Sequence, residues 1–299
     1  MIKKLNFYHS LFFFNICIIL SALEFLKNKD YLILCFFLIL SIGISHGALD
    51  NLKGKKLLKI LKFKSIFVFY IGYITISLFV ILCWILIPTL TLTIFLGVAC
   101  YHFGKEDTDF LVKKKSFFIN LLFTLKGSII IISPLLFNFQ DTTDIFKLLN
   151  FDISIFGINQ IFLYSILFLS FSSNIALSLN QESDFKSLIM LDFISILILN
   201  FFLSPILAFT IYFCFLHSLR HSFSLIFELS KNFKRGAFMF IQKALPLTIA
   251  TVLIYVISFY YLNNLFVIDE TIYKLIFIGL ASLTFPHILL EYLIEKNEK

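Results

Sequence analysis

The chain has 299 residues, of which 60% are hydrophobic and 14% are charged. Soluble domains carry about a quarter charged residues, so a soluble globular enzyme is excluded. The 25 basic and 18 acidic residues give a net charge of +7, but the lysines stand in gaps between apolar runs, where they fix a membrane topology rather than bind nucleic acid.

Ten membrane spans are predicted from apolar runs that are each long enough to cross a hydrocarbon core of about 30 Å as a helix. In chain order they cover about 6–26, 31–49, 65–87, 89–104, 116–139, 153–179, 187–203, 206–229, 244–262 and 271–293. Pro88 and Pro205 separate two pairs of spans, because proline cannot continue a hydrogen-bonded helix. The fourth and seventh spans are short, and a half-helix or re-entrant element stays open for both. The runs are continuous rather than alternating, which excludes a β-barrel.

The distribution of basic residues predicts the topology. With the N-terminus in the cytoplasm, the outside loops carry only Lys27, Lys29 and Lys147, and nearly all other basic residues lie in the inside segments. This asymmetry follows the positive-inside rule and favours ten spans with both termini cytoplasmic. The fold class is therefore an all-α polytopic transmembrane bundle, a single integral-membrane domain over residues 1–299, expected in the cell (inner) membrane.

Five of the six histidines lie at one depth, in the cytoplasmic halves of four spans that all run inward. They are His46, His102, His217, His221 and His287. Intramembrane ionisable groups carry a high free-energy cost and are kept where they face a cavity. Imidazole is the commonest metal ligand, and helix bundles build metal sites from facing helices. A shared metal site is therefore expected, whereas His9 is interpreted as interfacial.

Carboxylates accompany the histidines. Asp50, Glu106 and Glu291 each follow a histidine by four residues, and Asp107 comes directly after Glu106. A metal-bound imidazole usually donates its other N–H to a carboxylate, so Asp50, Glu106 and Asp107 are candidate partners, from the same helix or a neighbouring one. The alternative that the acids merely mark the membrane edge stays open for Asp50 and Glu106 and is favoured for Glu291. Arg220 is expected to pair with Asp50, Glu106 or Asp107, or to reach the interface.

Four segments resemble the signatures of the Brp/Blh family of membrane β-carotene 15,15'-dioxygenases. They are Gly43-Ile-Ser-His-Gly-Ala-Leu-Asp50, His102-Phe-Gly-Lys-Glu-Asp107, Cys214-Phe-Leu-His-Ser-Leu-Arg-His221 and Phe285-Pro-His-Ile-Leu289. They match in order and spacing over nearly the whole chain, and the first and third are specific. The chain departs at Ser45 and Leu216, where family members often have proline and tryptophan.

The resemblance implies an Fe(II) enzyme that cleaves the central double bond of β-carotene with O₂ to give two all-trans retinal. Its iron ligands would be His46, His102, His217 and His221, with His287 either ligating or lining the cavity. A set of neutral imidazoles without a ligating carboxylate would differ from the 2-His-1-carboxylate triad. β-Carotene, O₂ and membrane lipid are the expected partners, and hand-off of retinal to a rhodopsin stays open.

Two other functional classes remain open from the residues alone. A polytopic transporter or channel would use the histidines for protons or divalent metals, although no internal repeat is visible and the histidines are off the midplane. A b-type cytochrome would use them as haem ligands, which favours paired histidines on facing helices rather than the spacing of His217 and His221. Analysis of bound metal separates these classes.

Overall fold

The structure, a computed structural model, describes residues 2–23, 31–112, 116–179, 181 and 183–297, excepting the side chains at 46, 154, 183 and 184. All secondary structure in these ranges is helical. The α-helices are α1 Ile2–Ser21, α2 Leu32–Leu38, α3 Asp50–Ile60, α4 Ile66–Leu86, α5 Pro88–Glu106, α6 Phe117–Gly127, α7 Ile129–Phe137, α8 Phe139–Leu148, α9 Gln160–Ser178, α10 Ser183–Phe202, α11 Pro205–Ile211, α12 Leu219–Leu229, α13 Phe233–Leu262 and α14 Ile268–Asn297. Two π-helical segments are Ile39–Gly43 and Tyr212–Ser218, and three 3-10 segments are Ile44–Leu49, Asp109–Leu111 and Ile153–Phe156.

Eight helical stretches of the described chain are long and apolar enough to cross a membrane. They are Ile2–Ser21, Leu32–Ile60, Ile66–Leu86, Phe117–Phe137, Gln160–Ser178, Phe185–Phe202, Phe233–Leu262 and Ile268–Asn297. The other two predicted spans, 89–104 and 206–229, are helical throughout, in α5 and in α11 to α12. Both carry polar site residues that lower their hydropathy. The short fourth and seventh spans are full helices of 19 and 20 residues, α5 and α10, rather than half-helices.

The outer surface of the bundle is apolar. Phe67, Ile71 and Ile85 of α4 expose 70%, 66% and 71% of their surfaces. Side chains of this kind are solvated by lipid chains and not by water, and a helix satisfies its own backbone hydrogen bonds in lipid. The fold is therefore that of a multi-pass membrane protein. Which side of the membrane holds each terminus stays a prediction.

One apolar core joins the helices from the first to the last. Its buried members include Phe13 of α1, Trp84 of α4, Ile196 of α10 and Ile276 of α14. Since lipid chains are as apolar as these side chains, close packing rather than water exclusion holds such helices together. The core lies beside a polar cluster of buried histidine and carboxylate side chains and fixes the helices that carry this cluster.

Helices α5 and α6 approach each other through two glycines. A Cβ atom at Gly104 would meet the carbonyl oxygen of Phe123, and one at Gly127 would meet the carbonyl oxygen of Cys100. Small residues at such positions let two helix backbones come into contact within a membrane. This contact holds the end of α5, where His102 lies, against its neighbour.

We expect Gly104→Ala to destabilise the fold by about 1–3 kcal/mol, because the new methyl group meets backbone atoms that cannot move without separating the helices. The measurement is the midpoint of thermal unfolding in detergent. The control is Gly97→Ala in the same helix, where a Cβ meets nothing within 4 Å. Equal midpoints for the two variants would contradict the role given to this contact.

The two π-helical segments pack against each other near the polar cluster. Ser218 Oγ donates to the carbonyl oxygen of Gly43 at 3.3 Å, and a Cβ at Gly43 would meet the Phe213 ring at 2.5 Å. π-Turns are rare and occur mostly at functional sites. Here one contains His217, and the other ends just before the segment that contains His46.

Candidate metal centre

Four of the predicted histidines converge inside the bundle. His102 comes from α5, His217 from the second π-helical segment, His221 from α12 and His287 from α14, and all four are buried. The ring centroids of His102 and His217 are 5.2 Å apart, and those of His102 and His287 are 5.4 Å apart. His221 lies 5.9 Å from His287. These side chains form the histidine cluster.

The other two histidines are His46, whose side chain the structure does not describe, and His9, which lies outside the cluster. His46 belongs to the 3-10 segment Ile44–Leu49, but its side chain is outside the described part of the chain, so its role as a ligand stays a prediction. His9 Nε2 donates to the carbonyl oxygen of Phe215 at 2.8 Å, and its ring packs edge-on against Phe223. His9 therefore has a polar partner within the bundle, which its interpretation as an interfacial residue did not include.

Three histidines of the cluster each bond a carboxylate through Nδ1. The pairs are His217 with Asp107 Oδ1 at 3.0 Å, His221 with Glu106 Oε2 at 2.8 Å and His287 with Asp50 Oδ1 at 2.8 Å. Each acid comes from another helical segment than its histidine, rather than from the position four residues away. Because a carboxylate accepts the Nδ1 proton, Nε2 carries the lone pair that can bind a metal, as is usual for metal-ligating histidines.

Tyrosine hydroxyls donate to two of these three carboxylates. Tyr212 donates its hydroxyl to Asp107 Oδ2 at 2.7 Å, and Tyr73 donates to Asp50 Oδ2 at 3.0 Å. Both acids are buried, and a buried carboxylate needs such donors to offset its lost hydration. The sequence contains 12 tyrosines, and nothing in their spacing singled out these two.

Glu291 belongs to the cluster, and its interpretation as a membrane-edge residue was wrong. One ligand atom each from His102, His287 and Glu291 lie within 4.8 Å of one another, and Glu291 forms a second such group with Glu106 and His221. Its side chain is only 12% exposed. The spacing of four residues from His287 was the signal in the sequence, because such residues share a helix face.

Arg220 pairs with a residue that the sequence analysis missed. Its guanidinium donates to the two carboxylate oxygens of Asp192 at 2.6 and 3.1 Å, and also to Ser10 Oγ and to the backbone carbonyl of Asp107. It is 1% exposed. Of the three predicted partners Arg220 contacts only Asp107, through the backbone carbonyl, and its carboxylate partner is Asp192; the alternative that it reaches the interface was wrong. An acidic residue inside a predicted span was the available signal.

The donor set of the cluster fits a divalent metal ion. Two atoms bound to one ion at about 2.1 Å can be no more than about 4.2 Å apart, so the groups within 4.8 Å need only small shifts. The carboxylates of Asp50, Glu106, Asp107 and Glu291 also surround the histidines. Buried charges are costly unless compensated, and a divalent cation among neutral imidazoles would offset much of this negative charge.

An apolar cavity of about 80 Å³ borders the histidine cluster. Phe103 and Phe213 line the cavity and also contact His217, with ring centroids 4.8 and 5.8 Å from the imidazole. Its other walls come from several helices and include Phe95, Ile130, Phe146, Phe209 and Phe277. A molecule in this cavity would contact Phe103 and Phe213, and these two rings in turn contact His217.

A second cavity, of about 250 Å³, reaches the cluster between α5 and α14. It is lined by His102 and Glu291 and by the ion pair of Lys105 and Glu295, whose charged atoms are 2.6 Å apart. Unlike the first cavity, it has ionic groups in its walls.

Comparisons with known proteins give one consistent result. The sequence model of the family described as β-carotene 15,15'-dioxygenase matches residues 37–295. A curated relative, the β-carotene 15,15'-dioxygenase of uncultured marine bacterium 66A03, is 28% identical over 260 residues, which are 85% of this chain and 90% of the relative. No solved structure gives a significant match.

Proposed function

Because the chain belongs to the β-carotene 15,15'-dioxygenase family, we propose that it uses iron(II) and dioxygen to cleave the central 15,15' double bond of β-carotene. The products are two molecules of all-trans retinal. Each carbon of the broken bond takes one oxygen atom, so both atoms of O₂ are consumed and no further reductant is needed. Residues 1–299 would act as one integral-membrane domain in the cell (inner) membrane.

The convergence of His102, His217, His221 and His287, three of them anchored by carboxylates, is the observation that carries this proposal. We assign His102, His217 and His221, together with His46, as iron ligands, and His287 as a fifth site residue. Bound iron(II) would supply the redox chemistry with O₂ that side chains lack.

The surrounding residues would orient the ligands and the substrate. Asp50, Glu106 and Asp107 hold proposed site histidines through Nδ1, which would leave each Nε2 to bind the ion. The apolar cavity beside Phe103 and Phe213 would take the polyene and exclude water from the reacting bond.

Membrane lipid is the expected source of the substrate and the first recipient of the product. A carotenoid dissolves among lipid chains, and an enzyme whose outer surface is apolar meets it there without extracting it into water. Retinal is also lipid-soluble. We propose that it leaves into the bilayer, from which a rhodopsin can take it up.

Expression in carotenoid-producing cells tests the proposed function. Retinal is expected to appear while the orange colour fades, relative to cells with an empty vector. The purified protein is expected to contain one non-haem iron per chain, and chelation should abolish activity until Fe²⁺ is returned. A haem spectrum, or full activity in metal-free protein, would overturn the proposal.

A further inference from the structure

The other three carboxylates of the cluster contact a histidine at Nδ1, whereas Glu291 lies near Nε2 of His287. Asp50 accepts the hydrogen bond from Nδ1 of His287, which leaves Nε2 as the nitrogen that binds a metal. Glu291 Oε1 lies 3.6 Å from this Nε2. Glu291 is therefore on the metal side of the imidazole, whereas Asp50 is behind it.

Glu291 is also the shared member of the two groups of potential ligands. It lies within 4.8 Å of ligand atoms of His102 and His287 in one group and of Glu106 and His221 in the other. A carboxylate between imidazoles from different helices is a common arrangement at iron sites with open positions for O₂. Because Glu291 belongs to both groups, its position favours binding of a metal ion over a purely structural contact with Lys53.

A lysine holds the Glu291 carboxylate in position. Lys53 Nζ lies 2.6 Å from Glu291 Oε1. Lys53 belongs to α3 and Glu291 to α14, so the ion pair joins the two helices beside the cluster. Oε1 is the oxygen in both contacts, with Lys53 and with His287. A carboxylate has about four lone-pair sites, so Glu291 could bind a metal while Oε1 accepts from the ammonium group. His102 and Glu291 both line the second cavity.

We propose that Glu291 is a carboxylate ligand of the iron and that Lys53 is its positioning residue. This inference rests on the proposed function for the presence of iron. It changes the expected ligand set from imidazoles alone to imidazoles with one carboxylate. The 3-10 segment Ile44–Leu49, the second π-helical segment, α5 and α12 would each supply a histidine, and α14 would supply Glu291 beside His287.

The test measures Co²⁺ binding to the purified full-length protein in detergent, by competition with a chelator and by the visible absorption of the bound ion. Glu291→Gln is expected to weaken binding at least about tenfold and to alter the absorption bands. Glu291→Asp keeps a carboxylate on a shorter side chain, and its Co²⁺ affinity is expected to lie between those of the wild type and Glu291→Gln. The matched control is Glu295→Gln, because Glu295 forms an ion pair of the same length with Lys105 one turn further along α14.

Lys53→Met separates coordination from a purely structural role. If Glu291 serves only as the partner of Lys53, then Lys53→Met and Glu291→Gln should reduce Co²⁺ affinity equally, and the inference is overturned. Wild-type affinity and spectrum in Glu291→Gln would overturn it as well, while leaving the iron of the proposed function intact. Absence of metal binding by the wild-type protein would overturn both.

Discussion

Replacing His217 with alanine is expected to abolish retinal formation. His217 is buried, its Nδ1 is held by Asp107 and its ring contacts both Phe103 and Phe213 of the apolar cavity. It therefore stands where the proposed metal and the substrate meet. Loss of a residue that only orients a ligand typically costs 10–100-fold, so loss of the ligand itself should cost more than about 100-fold.

The measurement is retinal per milligram of purified protein, together with the iron content. His9→Gln serves as the control, because His9 lies on α1 outside the histidine cluster and glutamine can still donate to the Phe215 carbonyl. A cooperative thermal transition shows that the His217→Ala protein is folded, although its midpoint is expected to fall because buried Asp107 loses a donor. Retinal formation above a tenth of the wild-type rate would show that His217 does not bind the catalytic metal.

Replacing Asp192 with alanine is expected to destabilise the fold by about 3–5 kcal/mol, since it leaves the guanidinium of Arg220 buried without its carboxylate. Arg220 connects this ion pair to the proposed metal site, because it also donates to the backbone carbonyl of Asp107. Iron content should therefore fall together with the thermal midpoint.

The double variant Asp192→Leu with Arg220→Met should recover part of the lost stability, because a matched apolar pair leaves no buried charge. Asp144→Asn is the control, since Asp144 forms an exposed ion pair with Lys147 and such pairs contribute little. Similar thermal midpoints for Asp192→Ala and Asp144→Asn would contradict the importance of the buried pair.

Hydropathy located the helices because apolar runs are continuous in membrane spans. The predicted span 65–87 is α4, Ile66–Leu86, and the two prolines begin α5 and α11 as expected. The sequence did not indicate that α13 starts at Phe233, well before the predicted 244–262, because Lys234, Arg235, Gln242 and Lys243 interrupt the apolar run in its first turns. The π-helical segments were also missed, since one extra residue per turn leaves no mark in composition.

The candidate site was found because histidine is scarce in this chain and five copies share one depth. The partners within the site could not be read from spacing. His287 bonds Asp50, which is 237 residues away, and only the packing of α14 against α3 brings them together. Glu291 was underestimated for the same reason, because its proximity to His102 exists only in the folded bundle.

The ion pair of Arg220 and Asp192 has a consequence for biogenesis. A charged side chain at the centre of a single inserting helix costs about 2.5–3.5 kcal/mol, and α10 and α12 each carry one of opposite sign. Each segment would therefore be costly to insert into lipid by itself. The short connection before Pro205 makes the two charged stretches neighbours in the chain, so their insertion as a pair would avoid this cost.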